Sequence, residues 1–220
     1  MFMLKSDLHI HSAEDNFHSL SYDAKDLIDH AKNNGFEVLA ITLHRDVFSS
    51  KKIFDYAKKK GILLLQGTER YVEGKEVLMY NVTQSEVEKI TTFNDLRALK
   101  KKKDVLVIAP HPYFKRKTCL DSKLVENIDV FDAIEYCHFY IPFLNFNKKA
   151  VRVSQKYNIP LIGTSDAHNL WQMNFTFSLV DSKKDMKSFF SAIRNKQVML
   201  VTKPLPIYLF FWRLLKMSFE

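Results

Sequence analysis

Short apolar runs alternate with amphipathic stretches almost from one end of the chain to the other. Leu4 to Ile10 reads as a strand, and Asp23 to Asn34 as a helix closed by Gly35. Phe36 to Thr42 is a second strand, and Ser50 to Lys60 a second helix stopped by Gly61. Ile62 to Gln66 follows as a strand. Arg70 to Val82 reads as a hairpin turning at Glu73-Gly74-Lys75, because a glycine-containing turn divides two apolar runs. Val105 to Ala109, Ala133 to Tyr136 and Pro160 to Thr164 are further strands, with helical stretches between them. A last pair, Thr176 to Val180 and Val198 to Val201, flanks a helix near Lys184 to Asn195. Repeated strand–helix units imply parallel strands with right-handed crossovers, hence an α/β barrel or an open doubly wound sheet. No glycine-rich dinucleotide fingerprint or Walker-type loop follows any strand, which removes the main support for a nucleotide cofactor.

Composition narrows the class. The 220 residues are 46% apolar and 26% charged, which excludes disorder, and 5 Gly and 6 Pro leave no linker at which to divide the chain. The expected organisation is one domain over residues 1–203 followed by an apolar tail, 204–220. Cys119 and Cys137 are too few for a disulfide framework, and no secretory leader is evident, so the expected location is cytoplasmic. With 33 Lys and Arg against 25 Asp and Glu, the formal charge of +8 favours an anionic partner such as a phosphate ester, a nucleotide or nucleic acid. Part of that excess, Lys58 to Lys60 and Lys100 to Lys103, falls at helix ends, where cations suit the macrodipole. In the tail, Ile207, Phe210, Phe211, Leu214 and Leu215 form a helical stripe, with Tyr208, Leu209 and Trp212 on another face. Arg213 and Lys216 interrupt it, and it is too short to span a bilayer. It is expected to pack on the barrel; a homo-oligomer contact and an interfacial membrane helix are the alternatives.

The histidines carry the chemistry. Residues two apart on a strand share a face, so His9 and His11 point the same way at the end of the first strand. His44 ends the second strand and Glu69 follows the third. His111 follows Val105 to Ala109, His138 follows Ala133 to Cys137, and Asp166 and His168 follow Pro160 to Thr164. All lie at or just past the C-terminal ends of strands, the rim on which α/β barrels build their sites. Imidazoles and carboxylates together suit Zn, Mn or Fe. His30, on a helix beside Asp26 and Asp29, reads as solvated; His18, in the loop after the first strand, lies within reach of the rim.

Six segments now stand out in order: DLHIHS (7–12), AITLH (40–44), GTE (67–69), APHPY (109–113), IEYCH (134–138) and GTSDAH (163–168). Together they resemble the PHP (polymerase and histidinol phosphatase) family of metal-dependent phosphoesterases. The resemblance implies a distorted (β/α)7 TIM-like barrel with two or three divalent metal ions, Zn, Mn or Fe, at its C-terminal rim. It implies that His9, His11, Glu69 and Asp166 hold one metal, that Glu69 bridges to a second bound by His111 and His138, and that His44 and His168 belong to a third. The family often has Ser-Asp-Gly in the first loop where this chain has Glu14-Asp15-Asn16, so the loop ligand is Asp15, Glu14 or His18. Leu43 stands where the family often has Asp, and any supporting role of that Asp is absent.

The implied activity is hydrolysis of phosphomonoesters by a metal-activated hydroxide, with Glu69, Asp166 and His168 as catalytic residues. The substrate would be a phosphorylated small molecule or a nucleotide. Arg45, Arg70, Lys115 and Arg116 leave loops on the same rim and are the expected phosphate contacts. Two alternatives stay open: an exonuclease releasing nucleotides from RNA or DNA ends, and a non-catalytic metal-binding barrel. A nuclease would stack bases on Phe139, Tyr140, Tyr113 or Phe114, which otherwise pack.

Overall fold

The computed structural model describes residues 3–217. In chain order the elements are β1 (Met3–Ile10), α1 (Ala24–Asn33), β2 (Val38–His44), α2 (Lys51–Lys59), β3 (Leu63–Val72) and β4 (Lys75–Tyr80). They continue through α3 (Gln84–Val87), α4 (Phe93–Lys102), β5 (Leu106–Ala109), α5 (Ser122–Glu126), β6 (Ala133–Cys137) and α6 (Asn147–Tyr157). The last are β7 (Leu161–Thr164), β8 (Thr176–Asp181), α7 (Met186–Arg194), β9 (Val198–Thr202) and α8 (Ile207–Met217). Asp23 starts α1 by accepting the N–H groups of Lys25 at 2.9 Å and Asp26 at 2.8 Å. Asp23→Ala should therefore lower stability by about 1 kcal/mol, read from urea unfolding, with the site untouched.

All nine strands form one sheet in the order β7-β6-β5-β4-β3-β2-β1-β8-β9. The two ends of this order come together, so the sheet curls into a nearly closed, distorted TIM-like barrel. Strand–helix alternation predicts parallel strands beside the one hairpin, and the structure adds further antiparallel pairs. The pairs β3/β4, β4/β5, β1/β8 and β8/β9 are antiparallel. The expected hairpin at Glu73-Gly74 inserts β4 between two parallel groups. The third strand also runs past Gln66, because β4 pairs residues 67 to 72 on one side while β2 pairs as far as His44↔Glu69 on the other.

Closure is made largely by side chains. The Ser178 hydroxyl accepts the Gly163 N–H at 2.8 Å and donates to the Gly163 carbonyl at 3.1 Å, joining β7 to β8. Beside it, His11 N–H donates to the Ala167 carbonyl at 3.0 Å. Inside the barrel, Leu4, Val38, Leu106 and Ala133 at the N-terminal ends of their strands pack with Phe189, Phe190 and Ile193 of α7. That apolar plug closes one end of the barrel interior and leaves it open towards the C-terminal rim. α8 docks on the rim through Phe210, whose ring stacks on Phe139 at 4.5 Å. Its other apolar residues, Ile207, Tyr208, Phe211 and Leu215 among them, stay exposed. Among the described residues no helix is long and apolar enough to cross a membrane.

Candidate metal centre

The parallel strands β1, β2, β3, β5, β6 and β7 deliver polar residues to the open mouth at this rim. His9 and His11 leave β1 where its register against β2 shifts between Asp7 and Ile10, a bulge that re-aims side chains. Their Nε2 atoms approach to 3.3 Å, and both rings are fully buried. Glu69 rises from the body of β3, with Oε2 3.4 Å from His9 Nε2, 3.6 Å from His11 Nε2 and 3.2 Å from His44 Nε2. Its Oε1 lies 3.3 Å from His111 Nε2, is buried, and has no hydrogen-bond partner among the described residues. Asp166 Oδ1 lies 3.4 Å from Nε2 of both His9 and His11. Arg45, His111 and Asp166, all at this mouth, have positive φ (67°, 24° and 45°), backbone strain of the kind that clusters at functional sites.

Behind the histidines stands a second layer that orients them. His9 Nδ1 donates to Glu135 Oε1 at 3.0 Å; His11 and His44 Nδ1 donate to one oxygen, Asp15 Oδ2, at 3.0 and 2.7 Å. Burial would raise the Asp15 carboxyl, but those two hydrogen bonds outweigh it and hold Asp15 below its ordinary value. His168 Nδ1 donates to the Asp166 carbonyl at 3.0 Å. Nδ1 being engaged, Nε2 is the atom each ring turns inward, the usual arrangement of metal-ligating histidine. Glu135 also accepts the His111 N–H at 2.5 Å and the Thr164 hydroxyl. Asp7, fully buried, accepts from the His9 and Ser165 N–H groups and is pushed up to about 7 by desolvation.

Converging Nε2 lone pairs and carboxylate oxygens repel one another unless a cation lies among them. Ligand atoms about 2.0–2.2 Å from a tetrahedral ion are about 3.3–3.6 Å apart. The separations here, 3.2–3.6 Å, match that spacing. With the partnerless Glu69 Oε1, the donor set fits divalent metal. His9, His11 and Asp166 form one cluster able to hold an ion, and His11, His44 and Glu69 another.

The remaining sequence-predicted residues divide. Arg116 lines the cleft with His111, Asp166 and His168. Arg45 stands at its edge, stacked over Phe17 at 4.9 Å and Tyr71 at 5.3 Å. Lys115 is exposed and lies outside the cleft lining. Arg70 is not brought in: β3 continues through it, so alternation turns it to the face opposite Glu69. His138 lines the cleft, but its Nε2 accepts from Gln172 Nε2 at 2.9 Å instead of facing the carboxylates. Burial lowers His138 to about 4. Glu14 turns away to accept the Ala24 N–H at 3.1 Å. The His18 ring sits 5.0 Å from that of His44 and 4.9 Å from that of His168. Phe139 and Tyr140 are buried packing residues, Tyr113 lies under Lys149 Nζ at 4.2 Å, and Phe114 packs on Phe139 and Phe146 while lining the cleft.

Glu135, Asp7 and Gln172 were missed by sequence reasoning. For Glu135 the signal was there: a lone acid inside the otherwise uncharged run of β6 must have a buried partner.

Residues 7–136 match the model of the PHP domain. The chain belongs to the PHP domain family. Residues 145–198 match a second, PHP-associated model. No curated protein matches the chain in sequence. Among solved structures, a two-domain protein from Bacteroides vulgatus containing a predicted PHP-like metal-dependent phosphoesterase superposes with a TM-score of 0.71 at 21% identity. That match covers 91% of this PHP chain but 65% of the Bacteroides protein, so the chain spans about two-thirds of that protein's length. PsfC from Pseudomonas syringae matches over 100% of both chains, with a TM-score of 0.69 and 15% identity. The lesion-specific endonuclease PfuEndoQ from Pyrococcus furiosus matches at 0.59 and 16% identity, over 88% of this chain and 56% of its own. At these identities the likeness is one of fold.

Proposed function

We propose that this PHP chain is a metal-dependent phosphoesterase that hydrolyses phosphomonoesters. The observation that carries the reading is the ring of inward Nε2 atoms around Glu69 and Asp166, each held from behind by an acceptor. When bound, a pair of divalent ions would activate water near neutral pH and offset negative charge on the phosphoryl oxygens.

His9, His11, Asp166 and Glu69 would hold the first ion, and Glu69 with His111 would hold a second. His138 would join that second ion on release from Gln172. His44, His168 and His18 would hold a third. Asp15, whose Oδ2 already serves two imidazoles, would orient His11 and His44 rather than ligate. Asp166, the most exposed carboxylate of the set, would serve catalysis by holding its ion at the open side of the cleft, and His168, beside it, would do the same for the third. Arg116, on the cleft wall, would meet the phosphate.

Exonucleolytic cleavage is the second reading, favoured by Phe17, which is half-exposed at the cleft edge beside Arg45 and Tyr71, a surface on which a base would stack. The test is a panel: phosphate release from nucleotides and sugar phosphates, beside mononucleotide release from labelled single strands, at several salt concentrations. Monoesters should turn over faster and with weak salt dependence. Faster cleavage of strands, falling steeply with salt, would reverse the assignment, because contacts to several phosphates release several counterions.

A further inference from the structure

The tail helix carries its residues inside out. On α8, Ile207, Tyr208, Phe211 and Leu215 are exposed, whereas Arg213 is only 5% exposed. Burying an arginine carries a desolvation penalty that an apolar side chain at the same position would avoid. Phe210, one turn before it, seats the helix on Phe139, and the Leu205 N–H donates to the Tyr140 carbonyl at 2.9 Å. Both anchors fix the helix on the segment that follows β6, and the i, i+3 spacing then sends Arg213 into the cleft. There it lines the same walls as Arg116, His111, Asp166 and His168.

We propose that Arg213 reaches over the metal centre and, with Arg116 from the loop after His111, grips the non-bridging oxygens of the substrate's phosphate. The inference rests on the phosphoesterase reading and deepens it: α8 becomes a wall of the active site. Its ligand class is a terminal phosphate dianion. Two guanidinium groups on separate elements would present planar forks to one phosphate, while Asp166 and Glu69 would be engaged by metal.

The experiment compares wild type, Arg213→Ala and Arg213→Lys, with Leu215→Ser on the exposed side of α8 as control. Inorganic phosphate binding to metal-loaded protein is followed by calorimetry, and kcat and KM are measured on the best monoester of the panel. Arg213→Ala should weaken phosphate binding and raise KM about 10–100-fold, the range for losing a hydrogen bond to a charged group. Arg213→Lys should fall between, keeping the charge but losing the fork, and Leu215→Ser should match wild type. If Arg213→Ala does not fold, Arg213→Lys alone decides: weakened phosphate binding supports the assignment and unchanged binding overturns it. A folded Arg213→Ala protein binding phosphate within about twofold of wild type, or a wild type that binds none, overturns it too. Weakened phosphate binding without hydrolysis of any ester would leave this assignment standing and remove the phosphoesterase reading instead.

Discussion

Glu69→Gln protein is expected to lose both ester hydrolysis and bound metal. Glu69 is 3% exposed and touches His9, His11, His44 and His111 with its two oxygens. Burial would raise its pKa, but the surrounding imidazoles more than reverse that and keep it ionised. Glutamine is nearly isosteric, so shape is retained while the negative charge and one acceptor are lost. Removing residues that merely orient ligands typically lowers metal affinity or activity about 10–100-fold, and a carboxylate shared by two ions should exceed that. Elemental analysis of untagged protein should find at least about two metals per wild-type chain and fewer in the variant. If Glu69 were only a loop residue, the change would shift stability within about 0.5 kcal/mol and leave turnover alone. Full activity and full metal in Glu69→Gln would remove the paired-metal site.

Gly163→Ala should be the most damaging single methyl in the barrel. A Cβ there would stand 2.5 Å from Leu200 Cδ1 and 2.6 Å from the Phe177 carbonyl oxygen. The leucine can move, but the carbonyl belongs to β8 and cannot move without breaking the pairing of β8 with β9. The expected loss is at or above the about 1–3 kcal/mol that overfilling a packed core produces. Urea unfolding checks it; a midpoint equal to wild type would mean that β7 is not held against β8 as described.

The element list was largely legible because apolar periodicity and the glycines at 35, 61 and 74 mark where helices and the hairpin turn. Strand direction was legible at the Glu73-Gly74 hairpin but not elsewhere, since nothing in the Leu106–Ala109 or Thr176–Asp181 runs distinguishes an antiparallel neighbour from a parallel one. The cluster was legible as a set, because strand ends gather at one rim whatever the loops do. Its wiring was harder. Asp15 and Glu135 act through Nδ1 atoms supplied by distant strands, a relation visible only once the rings are oriented. Arg70 shows the converse error: a strand continuing past Gln66 to Val72 turned an expected cleft residue to the face opposite Glu69. Arg213, which read as an interruption of an apolar stripe, is buried while apolar residues around it on the same helix are exposed.

The join between β7 and β8 has a mechanical consequence. Where a continuous ladder would lock two strands, the Ser178 hydroxyl on Gly163 and a short backbone bridge between Ile10 and Ala167 do so here, leaving this line of the barrel thinly bonded. Asp166 and His168 hang from one lip of that line, His9 and His11 from the other. Ions shared between these groups would act as rivets across the gap, so ion occupancy and the integrity of the shell become a single equilibrium. Stripping the ions should loosen the wall along β7 before the plugged floor beneath Phe189 and Phe190 yields, and amide exchange would show it there first.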